Sequence, residues 1–297
     1  MSCERRDFLK ISAMACVAAS AQGCSGAQKS STGSAGAVLK LSCQECMASG
    51  ESLMEKLDFL EKNGFVGIEP SGRGLTGRVV EFQKALQGRA IRVSAVCAGF
   101  DGVLISDQEE ERKKAMASLK EILNAAGALG STGLIMVPAF HGQTKLGHTE
   151  SRELLLQLLP ELGEHAVASG TRLLLEPLNR KECSFLRLVA DAAAICRDAA
   201  SPGIACMGDF WHMTWEETSD RGAILSGGKY LHHMHIASRK RRIMPGEDKG
   251  DNYVDGFKGL KEIGYGDFVS LECGSIEDKK VTVPAAAKLI REQWGMA

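Results

Sequence analysis

Eight short apolar runs recur between residues 38 and 297, and each is followed by a longer segment whose apolar residues are spaced three and four positions apart. The runs have the length and composition of strands, whereas the longer spacing is that of helices with one apolar face. Strand–helix alternation of this kind is typical of a parallel sheet, in which each helix returns the chain to the start of the next strand. The predicted strands cover 38–42, 65–69, 91–97, 133–137, 172–176, 204–209, 231–236 and 268–272. The predicted helices cover 51–63, 78–87, 108–129, 150–169, 184–199, 215–226, 254–263 and 280–293.

A parallel sheet of eight strands can close into a barrel, which usually takes about 250 residues. The segment 38–297 fits that length, and no long tract of Pro, Ser or Gly interrupts it. An open doubly wound sheet is the alternative, but it normally has a Gly-rich phosphate turn after its first strand. Here that position reads CQECMASG, without the GxGxxG pattern. We therefore predict an α/β fold with one domain over 38–297, a single (β/α)8 TIM barrel.

Residues 1–24 have the composition of an export signal. The stretch CERRDFLK contains the pair Arg5 and Arg6 and precedes an apolar run rich in Ala and Ser, which resembles a bacterial twin-arginine signal. The run is too short to span a bilayer. Cleavage follows the sequence ASA, or a lipid is attached at Cys24; a frayed N-terminal helix is the alternative. Residues 25–37 are a small-residue linker. The prediction is an exported protein, periplasmic or lipid-anchored at the cell envelope, without stable membrane insertion once the signal is removed.

Composition favours small-molecule chemistry. The 297 residues are 44% hydrophobic and only 5% aromatic, which allows a large aliphatic core. A net charge of -1, from 36 basic and 37 acidic residues, provides no general attraction to nucleic acid or anionic lipid.

The cysteines do not predict a disulfide framework. Of the ten, Cys3, Cys16 and the possible lipidation site Cys24 lie in residues 1–24, which leaves seven, an odd number. The pair in CQEC, Cys43 and Cys46, has the spacing of a redox pair or half a zinc site, but no second CxxC completes such a site. Incidental cysteines are therefore the preferred interpretation.

The last four predicted strands each end in a side chain that can bind a metal. These residues are Glu176, Asp209, His235 and Glu272, spaced by 33, 26 and 37 residues, on average one strand–helix unit. In a barrel the carboxyl ends of the strands carry the active site, so four such ends meet at one rim. Strand alternation points each ligand the same way as the residue two positions before it. These pairs are Leu174 with Glu176, Met207 with Asp209, His233 with His235, and Ser270 with Glu272.

Three carboxylates at one rim repel each other at neutral pH, and a bound divalent cation is the simplest compensation. Oxygen donors with one imidazole suit Mn²⁺ or Mg²⁺, with Co²⁺ and Zn²⁺ as alternatives. Each residue alone has an ordinary explanation, such as helix capping or, for His235, a core histidine. Four at consecutive strand ends predict a metal centre.

The motifs around these residues resemble the sugar isomerase/epimerase superfamily with the xylose-isomerase-like barrel, and within it the ketose 3-epimerase branch. EPLNRKE implies a metal-binding Glu176 and a substrate-contacting Glu182. GDFWHM implies the ligand Asp209 followed by a substrate-binding His212. GYGDFVSLE implies that Glu272 is a ligand.

The same resemblance extends to HIASRKRRIMPGE, which implies the ligand His235 and a substrate-contacting Arg241. The loop is one residue longer before Pro245 than in the family pattern, so Arg242 is the alternative. For the rim we predict three more substrate contacts, Glu69, His141 and Trp211. Capping or loop hydrogen bonds are the alternative for Glu69 and His141, and core packing is the alternative for Trp211.

The resemblance implies a divalent-metal-dependent isomerase or epimerase acting on a small sugar-like substrate, a ketose or related α-hydroxy carbonyl compound. The proton would be abstracted through a metal-stabilised enediolate, with Glu176 and Glu272 as the catalytic residues, one on each face. Hydroxypyruvate isomerase-like and keto-inositol dehydratase-like enzymes share the four ligands and stay open as alternatives, as does a homo-oligomeric state.

Two rivals fall outside sugar isomerisation. The apurinic-site endonuclease branch of the superfamily has additional histidines at the ends of its second and third strands. Here these positions read Glu69-Pro70 and Cys97-Ala98. A non-catalytic carbohydrate-binding barrel is the other rival; binding alone does not require two opposed carboxylates such as Glu176 and Glu272.

Overall fold

The structure of the protein is a computed structural model and describes residues 36–297. The predicted export signal and the linker up to residue 35 lie outside the described residues. Nine parallel strands form one sheet in the order β3-β2-β1-β9-β8-β7-β6-β5-β4. They are β1 Lys40–Gln44, β2 Gly67–Glu69, β3 Arg92–Val93, β4 Val96–Cys97, β5 Leu134–Met136, β6 Leu173–Leu175, β7 Ile204–Asp209, β8 Leu231–Ile236 and β9 Phe268–Leu271.

The third predicted strand, 91–97, is divided into β3 and β4, and this division closes the sheet. β3 pairs with β2 and β4 pairs with β5. Between them, the N–H of Ser94 donates to the carbonyl of Ile68 at 2.9 Å, and its carbonyl accepts from the N–H of Thr132 at 2.7 Å. One segment thus bonds to both ends of the sheet, which leaves the fold a single α/β barrel, as predicted.

The helices pack outside the barrel and follow the strands in alternation. They are α1 Leu53–Lys62, α2 Val79–Leu86, α3 Glu109–Ala128, α4 His148–Ala168, α5 Val189–Ala199, α6 Phe210–Glu216, α7 Asp220–Gly227, α8 Val254–Glu262 and α9 Lys279–Met296. None of the helices within residues 36–297 combines the length and apolar character needed to cross a bilayer.

The predicted helix 215–226 is replaced by two helices, and the first begins directly at the end of β7. The carboxylate of Asp209 accepts a hydrogen bond from the N–H of Trp211 at 2.8 Å, which caps α6. Ser219 caps α7 in the same way by accepting from the N–H of Gly222 at 3.1 Å. The capping side chains, rather than apolar spacing, set these boundaries.

The barrel interior has an apolar side and a polar side. Alternate residues of β4 to β7 and the segment before β4 form a small inner cluster, separate from the core between strands and helices; it comprises Ala95, Ile135, Leu174, Ala205 and Met207. On the opposite side, around β8, β9, β1 and β2, the buried side chains are polar: Ser42, Glu69, Ser94, His233, His235 and Ser270. The candidate site lies at the carboxyl ends of the strands, where the apolar and polar sides of the barrel interior meet.

The seven cysteines within the described residues are all unpaired. Cys43 and Cys206 are buried, and Cys97 and Cys273 are half-buried. Burial raises the pKa of the Cys43 thiol. These thiols act as small apolar groups in the strands.

Candidate metal centre

The four predicted ligands meet at the carboxyl ends of four neighbouring strands. Asp209 ends β7 and pairs in register with His235 of β8, while Glu176 and Glu272 directly follow β6 and β9. One ligand atom from each residue lies within 4.8 Å of those of the other three. Because β6 and β9 are separated by β7 and β8 in the sheet, Glu176 and Glu272 approach the centre from different sides.

Two buried atoms of this cluster lack hydrogen-bond partners. Oε1 of Glu176 and Nδ1 of His235 lie 3.6 Å apart, and neither has a partner within hydrogen-bond geometry among residues 36–297. Nδ1 also lies 2.9 Å from Oε2 of Glu272. An unpaired buried polar atom is costly, and a cation between these atoms would satisfy both. Three carboxylates and one imidazole form a suitable donor set for a divalent metal.

The charges of the cluster are strongly coupled. Burial, reinforced by the charge of Glu272, raises the pKa of Asp209 to about 6. Burial also raises the pKa of Glu176. Burial opposes ionisation of Glu272 as well, but His235 and Arg242 hold its pKa at about 2. Without a metal, the carboxylates therefore ionise unequally, and only the one nearest to cationic groups is held strongly in its charged form.

Arg242, not Arg241, contacts this cluster. Nη2 of Arg242 lies 2.5 Å from Oε2 of Glu272 and 3.3 Å from Oδ2 of Asp209. Its guanidinium lies over the indole ring of Trp211, 4.7 Å from the ring centroid. Arg241 is more exposed and pairs with Asp248 at 2.6 Å. Arg242, the alternative to Arg241 in the sequence-based prediction, is thus the arginine beside the metal ligands, and its backbone adopts a positive φ of 55°. Which of the two arginines contacts substrate stays a prediction.

His212 and Glu182 lie together beside the metal ligands, with Asn179 between them. Nδ1 of His212 accepts from the backbone N–H of Asn179 at 3.1 Å. The side-chain amide of Asn179 lies 2.8 Å from the same Nδ1 and donates to Oε1 of Glu182 at 3.0 Å. Burial lowers the pKa of His212, which favours a neutral ring. Nε2 of His212 is buried without a partner, 3.5 Å from Oδ2 of Asp209.

The three additional rim residues have different surroundings. Glu69 is buried, and its carboxylate contacts His233 at 2.8 Å and His235 at 2.9 Å. His141 is exposed on the loop after β5, where its Nε2 lies 2.9 Å from the carbonyl of Arg180. Trp211 is half-buried beneath Arg242, and its indole N–H has no partner within the part of the chain that the structure describes.

Sequence reasoning did not assign a role to Asn179 or to His233. Asn179 lies within the motif EPLNRKE, and His233 lies two residues before His235, so both positions were visible in the sequence. The sequence does not show which residues Asn179 and His233 contact in the folded chain, and those contacts define their roles.

A cavity of about 380 Å³ opens beside the cluster, on the side of β1 to β4. Glu69, Cys97 and Glu272 line its inner part, and Gln44, Cys46 and Ser71 line its outer part. Sγ of Cys97 lies 3.9 Å from Oε1 of Glu272. The cavity is thus joined to the ligand cluster through Glu272.

Comparisons with known proteins agree with this geometry. The family profile described as xylose isomerase-like TIM barrel matches residues 57–293. The 3-dehydro-D-guloside 4-epimerase of Escherichia coli (strain K12) is 28% identical over 243 residues, 79% of this chain and 92% of that protein. A D-psicose 3-epimerase of Ruminiclostridium cellulolyticum is 30% identical over 120 residues, 40% of each chain.

The fold agrees equally well with a solved relative. The crystal structure of an apo 3-keto-D-glucoside 4-epimerase from E. coli superposes with a TM-score of 0.77 and 25% identity, covering 86% of this chain and 99% of that one. The named relatives are epimerases, in agreement with the predicted isomerase class. The chain belongs to the xylose isomerase-like TIM barrel family.

Proposed function

We propose that the protein is a divalent-metal-dependent epimerase or isomerase of a keto sugar, with Glu176 and Glu272 as the proton-transferring residues. The proposal is carried by one observation: Glu176, Asp209, His235 and Glu272 meet within 4.8 Å, with unpartnered atoms facing the centre. These four residues would hold the ion, with Mn²⁺ or Mg²⁺ as the proposed metals. When bound, the ion supplies a Lewis acid that polarises the carbonyl group of the substrate.

Two carboxylates that approach from different sides fit proton transfer at one carbon atom. One of them removes the hydrogen next to the carbonyl as a proton, and the electron pair forms a carbon–carbon double bond while the carbonyl oxygen takes the negative charge. Return of a proton from the other carboxylate to the opposite face inverts the centre. Glu176 and Glu272 are suited to these roles because they follow β6 and β9, which are not neighbours in the sheet.

His212 is placed to bind an oxygen atom of the substrate. Since its Nδ1 accepts from the backbone of Asn179, the proton of the neutral ring lies on Nε2. That N–H has no partner in the described part of the chain and lies beside Asp209. A donor fixed in this position stabilises negative charge on the carbonyl oxygen as it develops. Glu182, held by Asn179, and the half-buried Arg242 and Trp211 would complete the contacts.

The cavity beside Glu272 supports a substrate larger than a triose. Its volume of about 380 Å³ is within the usual range for ligand sites, and its outer part is lined by polar side chains such as Gln44 and Ser71. The E. coli relative is named for a dehydro-guloside, a sugar that carries an additional group. We therefore include keto sugars of the glycoside type among the proposed substrates. Export through the signal in residues 1–24 is part of the same proposal and depends on the sequence alone.

Hydrogen exchange with solvent tests the proposal. The metal-loaded protein is incubated in heavy water with ketohexoses, 3-keto-glycosides, hydroxypyruvate and a keto-inositol, and the products are analysed by NMR and mass spectrometry. We expect deuterium at the carbon next to the carbonyl, together with the epimer or isomer of one class. Metal content is measured in the same samples.

Single substitutions separate the two carboxylates. Because both residues are also proposed ligands, Glu176→Gln and Glu272→Gln are assayed at Mn²⁺ concentrations that saturate each variant. Each variant is then expected to abolish inversion and to retain exchange with only one of the two epimers. Absence of exchange with every compound, in protein that contains metal, contradicts the proposal and supports the non-catalytic carbohydrate-binding alternative. A dehydrated or isomerised product identifies the other reactions of the superfamily.

A further inference from the structure

Beneath the ligand cluster, one buried carboxylate contacts two histidines. Oε1 of Glu69 lies 2.9 Å from Nε2 of His235, and Oε2 lies 2.8 Å from Nε2 of His233. The two imidazole rings are nearly perpendicular, at 87°, with centroids 5.1 Å apart. All three side chains are within 1% of complete burial. Gln44 donates a further hydrogen bond to Oε1 of Glu69 at 3.0 Å.

We propose that Glu69 is a positioning residue, which holds His235 with its proton on Nε2 and its Nδ1 lone pair directed at the metal centre. An ionised carboxylate can only accept hydrogen bonds, so each Nε2 that contacts Glu69 must be a donor. In a neutral imidazole the other nitrogen then has no proton. For His235 that nitrogen is Nδ1, which faces Glu176 and Glu272. This inference rests on the proposed metal centre.

The contacts of Glu69 favour a positioning role. Its two oxygen atoms each accept from a different histidine, so the carboxylate joins both rings. The ligand atoms of Glu69, His233 and His235 lie within 4.8 Å of one another, a spacing that would also suit an ion. The two Nε2 atoms nevertheless contact separate carboxylate oxygens at 2.8 and 2.9 Å, distances typical of hydrogen bonds, and this pairing satisfies these atoms without an ion. The three residues therefore form a hydrogen-bonded triad, and the role that we propose for Glu69 acts through His235.

The tautomer of His235 matters because a protonated nitrogen cannot bind a metal. Hydrogen bonds that fix the tautomer and ring orientation of a metal-binding histidine typically change metal affinity by about 10–100-fold. His233 is not among the four residues whose ligand atoms converge at the centre. It serves instead as the second donor to the carboxylate, which makes it a matched control.

The two residues can be tested in a cycle of variants. In Glu69→Gln the side-chain amide has one oxygen that can accept a hydrogen bond, whereas two Nε2–H groups, those of His233 and His235, require an acceptor. One of the two histidines therefore loses its partner. In His233→Gln the carboxylate remains, and the new amide can still donate to it. In the double variant the carbonyl of the new side chain at 233 can accept from the amide at 69, which frees the amide oxygen at 69 for His235. Mn²⁺ affinity is measured by isothermal titration, and folding is checked by thermal unfolding of the metal-free proteins.

We expect Glu69→Gln to weaken Mn²⁺ binding about 10–100-fold and His233→Gln to change it less than about threefold. The double variant should recover affinity to within about threefold of His233→Gln, a rescue that loss of core packing does not predict. Unchanged affinity in Glu69→Gln, or equal weakness in the single and double variants, overturns the inference. A wild-type protein that binds no divalent metal instead refutes the proposed function.

A spectroscopic measurement keeps the inference testable if Glu69→Gln does not fold. In wild-type protein with ¹⁵N-labelled histidine and bound Zn²⁺, long-range ¹H–¹⁵N spectra report the tautomer of each ring. We expect His235 to carry its proton on Nε2. A proton on Nδ1 of His235 contradicts the role of Glu69.

Discussion

The backbone N–H of Asn179 donates a hydrogen bond to Nδ1 of His212 over 3.1 Å. A backbone N–H cannot act as an acceptor, so this contact places the proton of the neutral His212 ring on Nε2. The same logic applies to His235, whose Nε2 contacts the carboxylate of Glu69. With the proposed metal bound, the two histidines beside the centre would have opposite functions: His212 presents a donor, and His235 presents a lone pair.

Two isosteric substitutions test the donor role of His212. The amide of His212→Gln can place an N–H near the position of Nε2. The shorter amide of His212→Asn can place its oxygen near the position of Nδ1, where it accepts from Asn179, but it leaves no N–H at the position of Nε2. We expect His212→Asn to lower kcat/KM by about 10²–10³-fold, the usual cost of a lost donor to a developing oxyanion. His212→Gln should retain at least about tenfold more activity. The reverse order, measured by steady-state kinetics, would show that the contact with Asn179 is what matters.

Removal of a ligand should release the metal. Asp209 is buried at the centre, and Asp209→Asn is expected to weaken Mn²⁺ binding by more than about 100-fold, beyond the effect of a residue that only orients a ligand. Asp248 is also buried, but it pairs with Arg241 and Ser238 outside the cluster. Asp248→Asn should therefore keep a Mn²⁺ affinity within about threefold of wild type. Isothermal titration distinguishes the two, and equal losses would argue against the ligand assignment.

The stabilising effect of the metal should increase with pH. The pKa of Asp209 is about 6 in the metal-free fold, because of burial and of Glu272, and this lies above its value of about 3.9 in the unfolded chain. Protonation of Asp209 therefore stabilises the metal-free fold at low pH, and this contribution is lost as the pH rises through about 6. Metal binding requires the ionised carboxylate. Both effects predict a larger rise in Tm on adding Mn²⁺ at pH about 8 than at pH about 5.

The control for this pH dependence is Asp209→Asn, which cannot titrate at that position. Its Tm without metal should depend less on pH over the same interval. Differential scanning calorimetry provides both measurements. An increment in Tm on adding Mn²⁺ that is the same at both pH values would contradict the coupling of Asp209 to the metal.

Arg242 and its neighbour Arg241 provide a matched pair of variants for a test of activity. Arg242 contacts Glu272 and Asp209 and covers Trp211, so Arg242→Ala is expected to lower kcat/KM about 10–100-fold through lost positioning and charge. Arg241→Ala removes a largely exposed pair with Asp248 and should change kcat/KM less than about threefold. Steady-state kinetics with the substrate found by hydrogen exchange decides between them. A larger effect of Arg241→Ala would favour Arg241 as the arginine that contacts substrate.

The apolar side of the barrel interior should dominate the stability of the site. Leu174 is completely buried in the inner cluster, and it packs so closely on Gly133 that a Cβ there would lie 2.4 Å from its side chain. Leu174→Ala is expected to lower the free energy of unfolding by about 2–5 kcal/mol, because a cavity replaces the lost side chain. Leu225 is 43% exposed, and Leu225→Ala should stay within about 0.5 kcal/mol of wild type. Urea unfolding of the metal-free proteins measures both.

Much of the fold could be predicted because its signals are local. The alternation of strand and helix periods predicted the barrel, and the inward direction of Leu174 and Met207 followed from strand alternation. The convergence of Glu176, Asp209, His235 and Glu272 followed from the rule that parallel strands end at one rim. The predictions were less accurate where side chains override the pattern, as when Asp209 caps α6 and starts it at Phe210.

Periodicity along the chain was thus sufficient for the barrel, its rim and the identities of four candidate ligands, because these depend on spacing within single elements. The choice of Arg242 over Arg241, the contact of Asn179 with His212 and the place of Glu69 beneath His235 required the folded chain. These contacts join residues up to 166 positions apart or depend on one backbone φ angle in a loop. A hydrogen bond depends on which residues are neighbours in the folded chain, and the periodicity of the sequence does not specify those neighbours.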